Sequence, residues 1–248
     1  METHTKINNE IYHSLGERWY SAFDDPVALL RAQSELLAPW IIQKIGSPSC
    51  CTILDIGCGG GFMSNRFAKA GFDVDAIDLS EDSLAIARKH DSTGKVRYTL
   101  ADGYHLPFSD RAFRVVTAMD FLEHVEDPKA IIAEVSRVLA PGGLSFFHTF
   151  NRNFLSRIVV IKMVELLVAN TPDHLHIYRL FIKPSELRDY CHSHDLSIIE
   201  MSGVRPKLST LSIGDIFRRT VPKGFQFELS PSLQISYLGY AKKEEHRL

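Results

Sequence analysis

The chain has 248 residues, of which 45% are hydrophobic, and its formal net charge is −2. This length suits one domain, and the apolar fraction is that of an ordinary globular protein. A charge so close to neutral disfavours general nucleic-acid binding, which needs a basic face. The N-terminal residues are polar, so we expect no secretory signal, and no apolar window is long enough to predict a membrane-spanning helix.

Four cysteines, at positions 50, 51, 58 and 191, show neither the spacing of metal ligands nor that of a disulfide framework. We therefore expect reduced thiols in a cytoplasmic protein. Near the N-terminus, apolar residues at helical spacing predict one amphipathic helix over 7–20. Pro26 stands at a favoured first-turn position and begins a second predicted helix, which ends near Gly46.

The segment 52–61 reads T-I-L-D-I-G-C-G-G-G and predicts a strand followed by a glycine turn, with a helical pattern after it. Open α/β sheets bind ligands at the carboxyl ends of their parallel strands, and glycine lets the backbone approach a ligand closely. Asp78 ends the next predicted strand, where a carboxylate suits a ribose diol. The dinucleotide fingerprint G-x-G-x-x-G is incomplete because residue 62 is phenylalanine.

The pairing of D-I-G-C-G-G-G with a later D-L-S resembles motif I of the class I S-adenosylmethionine-dependent methyltransferases. The resemblance implies that Asp55, Gly57 and Gly59 hold the methionine end of the cofactor and that Asp78 holds the ribose hydroxyls. The alternative is a structural turn between a strand and a helix that binds no ligand.

The same resemblance extends the cofactor site to other segments. Asp102 and Gly103, after the third predicted strand, would meet the adenine, and Leu79 and Met119 belong to the same set. Arg31, in the second N-terminal helix, is a candidate partner of the cofactor carboxylate. The alternatives are a turn aspartate that bonds its own backbone and an arginine in solvent.

Strands and helices alternate from residue 52 to residue 144, which predicts a doubly wound α/β fold with a parallel sheet. By resemblance the sheet has seven strands and the last is antiparallel. We expect a single domain over 1–248, with a helical cap (1–48), a cofactor-binding core (49–150), an insertion (151–183) and the remainder of the sheet (184–248). The predicted strands cover 52–56, 74–79, 96–100, 113–119, 144–149, 196–201 and 233–241, with a turn at 140–143 and a loop with a short helix at 203–231.

Asp120, Glu123 and His124 follow the fourth predicted strand at the ligand-binding end of the sheet. Residues at i, i+3 and i+4 share a helix face, and two carboxylates with an imidazole suit Mg²⁺, Mn²⁺ or Zn²⁺. A metal there would bind both oxygens of a catechol and lower the pKa of the attacking hydroxyl. Alternatively, Glu123 braces a loop and His124 acts as a general base without a metal.

From the fourth strand to residue 190, the chain resembles the ubiquinone-biosynthesis O-methyltransferases, which methylate polyprenyl catechols and phenols. Residues 120–124, D-F-L-E-H, are similar to that family's acidic-x-x-Glu-His motif, which is associated with divalent cations, although the family usually has Glu where this chain has Asp120. Residues 176–187, H-I-Y-R-L-F-I-K-P-S-E-L, are similar to a second family segment. His176 is thereby a candidate base or substrate contact, the alternative being a loop histidine in solvent, and His148 is a weaker candidate.

Residues 153–170, NFLSRIVVIKMVELLVAN, are too short and too charged to span a bilayer. They are too apolar for a half-exposed helix. Two interpretations stay open: a buried core or homodimer helix, and a lid that docks on the inner face of a membrane with its basic residues near the headgroups.

The predicted reaction is transfer of the S-adenosylmethionine methyl group to a phenolic oxygen, with a metal or a base removing the proton. Three alternatives remain. They are a small-molecule methyltransferase of another pathway, a nucleic-acid methyltransferase, which the charge disfavours, and a protein that binds S-adenosylmethionine without catalysis.

Overall fold

The computed structural model describes residues 8–49 and 51–245. Within these residues, eight strands form one sheet in the order β3-β2-β1-β4-β5-β8-β6-β7. Residue 50 and the ends of the chain, with Ile7 and the last three residues, lie outside the described part. The strands are β1 Thr52–Ile56, β2 Asp73–Asp78, β3 Arg97–Leu100, β4 Phe113–Met119, β5 Leu139–Phe150, β6 Leu196–Pro206, β7 Phe227–Ser230 and β8 Ser236–Lys243.

The sheet has the predicted doubly wound, mainly parallel topology. β1 lies between β2 and β4, and both pairings are parallel, as are β2 with β3 and β4 with β5. β8 is antiparallel to both of its neighbours, β5 and β6. The fold prediction is therefore confirmed, with one more strand than expected in the described chain.

The additional strand is β7, which pairs antiparallel with the end of β6 from Gly203 to Pro206. It falls inside 203–231, which was predicted to be loop-like because of its glycines and prolines. Only four residues belong to β7, and a run so short at a sheet edge gives almost no periodic signal. β6 itself continues to Pro206, beyond the predicted end at residue 201.

The predicted turn at 140–143 is wrong, because these residues belong to β5. They form an irregular stretch of that strand, where the register against β4 shifts between Phe113 and Val115. Gly142 has a φ of 72°, in the left-handed region that glycine adopts without strain. The sequence A-P-G-G therefore makes a bulge inside the strand and does not separate a helix from it.

The helices follow the predictions except at the N-terminus. The single helix expected over 7–20 is divided into α1 and α2, and Gly16, between them, has a φ of 48°. The helices of the described residues are α1 Ile11–Ser14, α2 Arg18–Ser21, α3 Val27–Ile45, α4 Phe62–Lys69, α5 Glu81–His90, α6 Pro128–Val138, α7 Phe154–Ser156, α8 Val164–Leu167, α9 Pro184–His192 and α10 Ile213–Arg218.

Side-chain caps set two of these helix starts. Ser80 accepts a hydrogen bond from the backbone N–H of Ser83 at the start of α5. Asp127 accepts one from the N–H of Ala130 at the start of α6, with Pro128 in the first helical position. Such caps satisfy backbone donors that the first helical turn leaves unpaired.

Both faces of the sheet are covered by apolar side chains. In β1, Leu54 and Ile56 pack into one core cluster and Ile53 packs into the other. Strands buried on both faces are typical of doubly wound sheets. A further cluster joins Leu15, Trp19 and Val27, which places the N-terminal helices over the carboxyl ends of the strands.

The insertion is helical along most of its length. A π-helical segment, Arg157–Met163, joins α7 to α8. The insertion contributes the buried side chains of Val160 and Val168 to the interior, while its Phe154 and Leu166 side chains are exposed. No helix among residues 8–49 and 51–245 is long and apolar enough to cross a membrane.

Candidate active site

A cleft of about 380 Å³ lies at the carboxyl ends of β1, β2 and β4, and we call it the glycine cleft. It brings together eight of the nine predicted cofactor residues: Asp55, Gly57, Gly59, Asp78, Leu79, Asp102, Gly103 and Met119. They come from four separate stretches of the chain, which parallel strands align at one edge. The cleft therefore offers one continuous surface for a ligand.

The turn after β1 can only be built from glycine at its key positions. Gly57 and Gly59 have φ values of 68° and 51°, which favour glycine. A Cβ atom on Gly57 would lie 2.3 Å from the Phe121 ring, and one on Gly59 would lie 2.7 Å from the Trp19 ring. The turn is thus held tightly between two aromatic side chains.

Asp55 braces this turn from beneath. Its carboxylate accepts hydrogen bonds from the Ser64 hydroxyl at 2.5 Å and from the Thr117 hydroxyl at 2.7 Å. Burial raises the pKa of Asp55 to about 6. Because both oxygens are already bonded, its carboxylate fixes α4 and β4 relative to the turn.

Asp78 ties the glycine turn to β2. One carboxylate oxygen accepts from the backbone N–H of Gly59 at 2.8 Å, and the other accepts from the N–H of Ser80 at 2.9 Å. Burial raises the pKa of this carboxyl group. A carboxylate so oriented presents a strong acceptor to the vicinal hydroxyls of a ribose.

Asp102 and Arg31 differ from the prediction in their contacts. Asp102 lines the cleft, but its carboxylate also accepts from the backbone N–H of Tyr104 at 2.9 Å, as a turn aspartate does. Arg31 is not brought to the cleft. Its guanidinium donates to the carbonyls of Trp19 and Ala22, so it ties α2 to α3 and is neither a residue of the cleft wall nor an arginine left in solvent.

A second cavity, of about 500 Å³, adjoins the glycine cleft. Its wall combines α3, the insertion, the end of β6 and the loop before β7, and most of the lining side chains are apolar. We call it the apolar cavity. It shares Tyr12, Leu30, Asp120 and His124 with the glycine cleft, so these residues mark the junction between the two spaces.

His124 and His176 lie close together at this junction. Their ring centres are 5.6 Å apart, and both line the apolar cavity. Burial lowers the pKa of His124 to about 4 and that of His176 to about 3, the latter also through the neighbouring His124. Both imidazoles are therefore neutral near pH 7, and each neutral ring keeps one nitrogen with a free lone pair.

Glu123 is buried beside them, with only 1% of its surface exposed. One carboxyl oxygen accepts from the Thr149 hydroxyl at 2.8 Å. The other, Oε1, has no hydrogen-bond partner in the described part of the chain. Burial and the negative charge of Asp120 raise the pKa of Glu123 well above its usual range, which favours the protonated form of the carboxyl group, and that form can donate a hydrogen bond.

Comparison with known proteins shows to which family a chain with these two adjoining spaces belongs. A family model described as a methyltransferase domain matches residues 54–147. A ubiquinone biosynthesis O-methyltransferase from an Azoarcus species is 36% identical over 78% of this chain and 83% of its own length. One from Bordetella avium is 38% identical over 78% of this chain and 80% of its own length. The chain belongs to the ubiquinone biosynthesis O-methyltransferase family.

Solved structures agree on the fold. Magnesium protoporphyrin IX methyltransferase from Synechocystis, determined with bound S-adenosylhomocysteine, superposes with a TM-score of 0.63 at 17% identity, over 95% of this chain and 97% of that one. A methyltransferase from Bacillus halodurans gives 0.60 at 21% identity, over 83% and 98%. These structures show the class I fold, and the family to which the chain belongs makes it an S-adenosylmethionine-dependent methyltransferase.

The methyltransferase does not assemble the predicted metal site. Among residues 8–49 and 51–245, no group of three His, Cys, Asp or Glu side chains is placed to hold a metal ion. Asp120, Glu123 and His124 were expected to share a helix face. Instead, the Asp120 carboxylate bonds the His148 ring at 2.7 Å and Glu123 bonds Thr149. The physical reason is the backbone, which leaves β4 at a φ of 51° for Asp120 before one short 3₁₀ turn from Leu122 to His124.

The sequence did not reveal the aromatic cover of the methyltransferase site. Tyr12 and Trp19 stack with ring centres 5.6 Å apart, and both line the glycine cleft. The Trp19 Nε1 atom is buried without a partner in the described residues. The helical periodicity in 7–20 placed Trp19 on an amphipathic helix, but only tertiary packing puts it above Gly59.

Proposed function

We propose that this methyltransferase transfers the methyl group of S-adenosylmethionine to a phenolic oxygen of a lipophilic catechol or phenol in ubiquinone biosynthesis. The observation that carries the proposal is the apolar cavity, which opens onto the glycine cleft at Asp120 and His124. A cavity of this size and apolar lining favours an aromatic ring with a hydrocarbon tail. The names of the curated relatives agree with such an acceptor.

Positioning would supply much of the catalysis. Asp78 and the closely approaching backbone of the glycine turn would hold the cofactor, and the junction would hold the acceptor oxygen in line with the methyl group. Fixing two reactants in this way removes most of the entropic cost of a bimolecular step. The apolar walls exclude water, which would otherwise solvate the attacking oxygen.

His124 is the best candidate for the group that takes the phenolic proton. Its Nδ1 lies 3.0 Å from the amide oxygen of Asn9, and an oxygen acceptor there keeps the proton of the neutral ring on Nδ1. Nε2 then carries the free lone pair. His176 is the second candidate, because its ring lies beside that of His124 and next to Phe150 and Phe181.

Glu123 would have a different role from the one predicted. A protonated carboxyl group cannot act as a base, but it can donate a hydrogen bond to an acceptor oxygen. The Glu123 side chain lines the apolar cavity, its buried Oε1 atom has no partner in the described residues, and a buried polar atom without a partner favours a ligand that satisfies it. A catechol, with two adjacent oxygens, offers one oxygen to His124 and one to Glu123.

The same unpaired Oε1 atom supports a second candidate, the metal-assisted reaction. A divalent cation would supply an acidified hydroxyl. As placed, however, the residues do not fit a three-ligand site, because Asp120 and Glu123 bond to the protein. We therefore assign no step to a metal.

Methyl transfer from labelled S-adenosylmethionine to a short-chain polyprenyl catechol, with the matching monophenol beside it, tests the proposal. Transfer to the catechol is expected. Transfer that stops with EDTA and returns with Mg²⁺, Mn²⁺ or Zn²⁺ would establish the metal-assisted version. A protein that binds the cofactor and methylates neither acceptor would contradict the proposal and favour a non-catalytic binder or an enzyme of another pathway.

We also propose that the insertion meets the bilayer in which such an acceptor resides. Phe154 and Leu166 are 75% and 67% exposed. The same helical segment carries the exposed Arg157 and Lys162, which pairs with Glu165. Apolar side chains next to basic ones suit an anionic lipid surface. Val160 and Val168, on the inner side, line the apolar cavity, so a tail would pass from lipid to cavity along this segment.

Flotation with vesicles of anionic phospholipid tests this contact. The Phe154→Ser, Leu166→Ser double variant should lose most vesicle binding. Ile199→Ser, which changes a side chain with 53% exposure on β6, should keep it. Equal vesicle binding by the unchanged protein, the double variant and Ile199→Ser would contradict the membrane contact. A dimer in gel filtration that dissociates only in the double variant would also contradict it.

A further inference from the structure

The backbone and side chain of Asp120 are both fixed by one residue, His148. The backbone N–H of Asp120 donates to the carbonyl of His148 at 3.1 Å. Its carboxylate Oδ1 lies 2.7 Å from the Nδ1 atom of the same histidine. Asp120 also has a φ of 51°, which a non-glycine residue adopts only when its surroundings hold it there.

His148 is itself completely buried in β5. Its Nε2 atom lies 3.0 Å from the Ser236 hydroxyl on β8 and 3.1 Å from the Gln33 amide nitrogen on α3. The Ser236 hydroxyl in turn lies 3.0 Å from the carbonyl of Val204. The imidazole is thus held by two elements besides its own, β8 and α3.

These partners offer an acceptor to each ring nitrogen of His148. A carboxylate oxygen of Asp120 can accept a hydrogen bond from Nδ1. The Ser236 hydroxyl donates to the carbonyl of Val204, so its oxygen can accept from Nε2, while the Gln33 amide nitrogen lies 3.1 Å from Nε2 and 3.3 Å from Nδ1. One buried ring therefore connects α3 to a carboxylate at the junction.

Asp120 lies where the methyl group would pass. It lines both the glycine cleft and the apolar cavity, and 12% of its side chain is exposed. Its two hydrogen bonds to His148, one through the backbone and one through the carboxylate, hold that carboxylate at the junction.

We propose that His148 is a positioning residue for methyl transfer, which holds the Asp120 carboxylate at the junction so that this carboxylate accepts a hydrogen bond from the catechol hydroxyl adjacent to the one that His124 deprotonates. The inference rests on the proposed function, since it requires a hydroxyl-bearing acceptor in the apolar cavity. His148 touches neither reactant and acts only through Asp120. Its loss should therefore lower kcat and leave cofactor binding intact.

Two amide substitutions of similar polarity separate positioning from packing. In His148→Asn, the side-chain amide nitrogen stands near the position of Nδ1 and can still donate to Asp120. In His148→Gln, the amide nitrogen stands near the position of Nε2 and faces Ser236 instead. We expect kcat of His148→Asn within about threefold of the unchanged enzyme and kcat of His148→Gln lower by roughly 10- to 100-fold, as for a misplaced catalytic group.

A double-mutant cycle with Asp120→Asn completes the test, since asparagine also tolerates a positive φ. If His148 acts through Asp120, adding His148→Gln to Asp120→Asn should lower kcat by less than about twofold. The dissociation constant of S-adenosylhomocysteine should stay within about threefold in every variant, which also shows that each is folded.

Three results would overturn the inference. They are equal kcat values for His148→Asn and His148→Gln, an equal loss from His148→Gln with and without Asp120→Asn, and a loss explained by weaker cofactor binding. If the unchanged enzyme methylates no catechol, the proposed function fails separately. Nitrogen NMR of the labelled imidazole then still tests the pair, because an unprotonated Nδ1, or one that Asp120→Asn does not shift, contradicts the positioning role.

Discussion

The glycine cleft and the apolar cavity adjoin each other but are built differently. The cleft comes from the ends of neighbouring strands, and each of its key residues lies within a few positions of a strand that the sequence predicts. The cavity is lined by side chains from the N-terminal helices, the insertion and the last third of the chain. A motif specifies the cleft, whereas only tertiary packing specifies the cavity.

The two sites also differ in what their polar groups do. In the cleft, Asp55 and Asp78 bond hydroxyls and N–H groups of the protein, so they hold a rigid cradle. At the junction, the Oε1 atom of Glu123 is unpaired in the described residues and the rings of His124 and His176 are neutral. The cleft is thus organised for binding, and the junction keeps chemical groups available for reaction.

The largest expected effect comes from removing the proposed base. His124→Gln should lower kcat by roughly 10²- to 10⁴-fold, as the loss of general base catalysis does, with the cofactor dissociation constant unchanged. His105→Gln is the matched control, since the side chain of His105 is 89% exposed near Asp102. Single-turnover kinetics with labelled cofactor measure both. A loss of less than about threefold would remove His124 from the chemistry.

Removing the carboxylate of Asp78 should affect the cleft alone. Asp78→Ala takes away an acceptor for the cofactor and leaves the N–H of Gly59 without its partner. Because hydrogen bonds to charged groups contribute about 1.5–3 kcal/mol each, calorimetry should show S-adenosylhomocysteine binding weakened by roughly 100-fold. Asp82→Ala, an exposed change in α5, should bind normally, and an Asp78→Ala variant that does the same would contradict the ribose role.

Filling the apolar cavity should affect long acceptors alone. Val160→Trp adds bulk on the cavity side of the insertion, and overpacking of this kind typically costs about 1–3 kcal/mol. We expect KM for a long-tailed acceptor to rise about 10-fold with little change for a tail-less one. Ile158→Trp, on the same π-helical segment but outside the cavity wall, is the control. Equal effects of both variants on both acceptors would mean that the tail lies elsewhere.

The smallest expected effect is on stability in acid. Since the pKa of His176 is lowered to about 3, from an unfolded value of about 6.5, only the unfolded chain gains this proton at intermediate pH. The folded state therefore loses stability as pH falls below about 6.5. His176→Phe removes this loss and should gain on the order of 1 to 2 kcal/mol relative to the unchanged protein between pH 7 and pH 4.5. Urea unfolding at both pH values measures it, and a constant difference would contradict the neutral buried ring.

The sequence predicted the secondary structure correctly where the local residue patterns are strong. The glycine turn and the strands that contain Asp55 and Asp78 could be placed because apolar runs, glycines and caps carry their own signals. Those signals put eight of the predicted cofactor residues in one cleft. β7 was not predicted, because four residues at a sheet edge show too little hydrophobic periodicity.

The predictions that differ from the structure concern side chains whose direction depends on an unusual backbone conformation or on packing against distant parts of the chain. Helical spacing predicted that Asp120, Glu123 and His124 point the same way, but the positive φ at Asp120 turns its carboxylate to His148 instead. Arg31 lies on a helix as predicted, yet two backbone carbonyls from α2 and the residue that follows it occupy its guanidinium. Neither contact can be predicted from the local sequence, because the tertiary fold brings each pair of partners together.

If a lipophilic acceptor occupies the apolar cavity beside the cofactor, the length of its tail should control the rate of methyl transfer. Varying the tail tests this directly. Methyl transfer from labelled S-adenosylmethionine would be measured for a catechol with no tail and with one, two and three prenyl units. We expect kcat/KM to rise with each added unit until the cavity is filled, chiefly through a falling KM. A kcat/KM that is independent of the tail, or highest for the tail-less catechol, would contradict it.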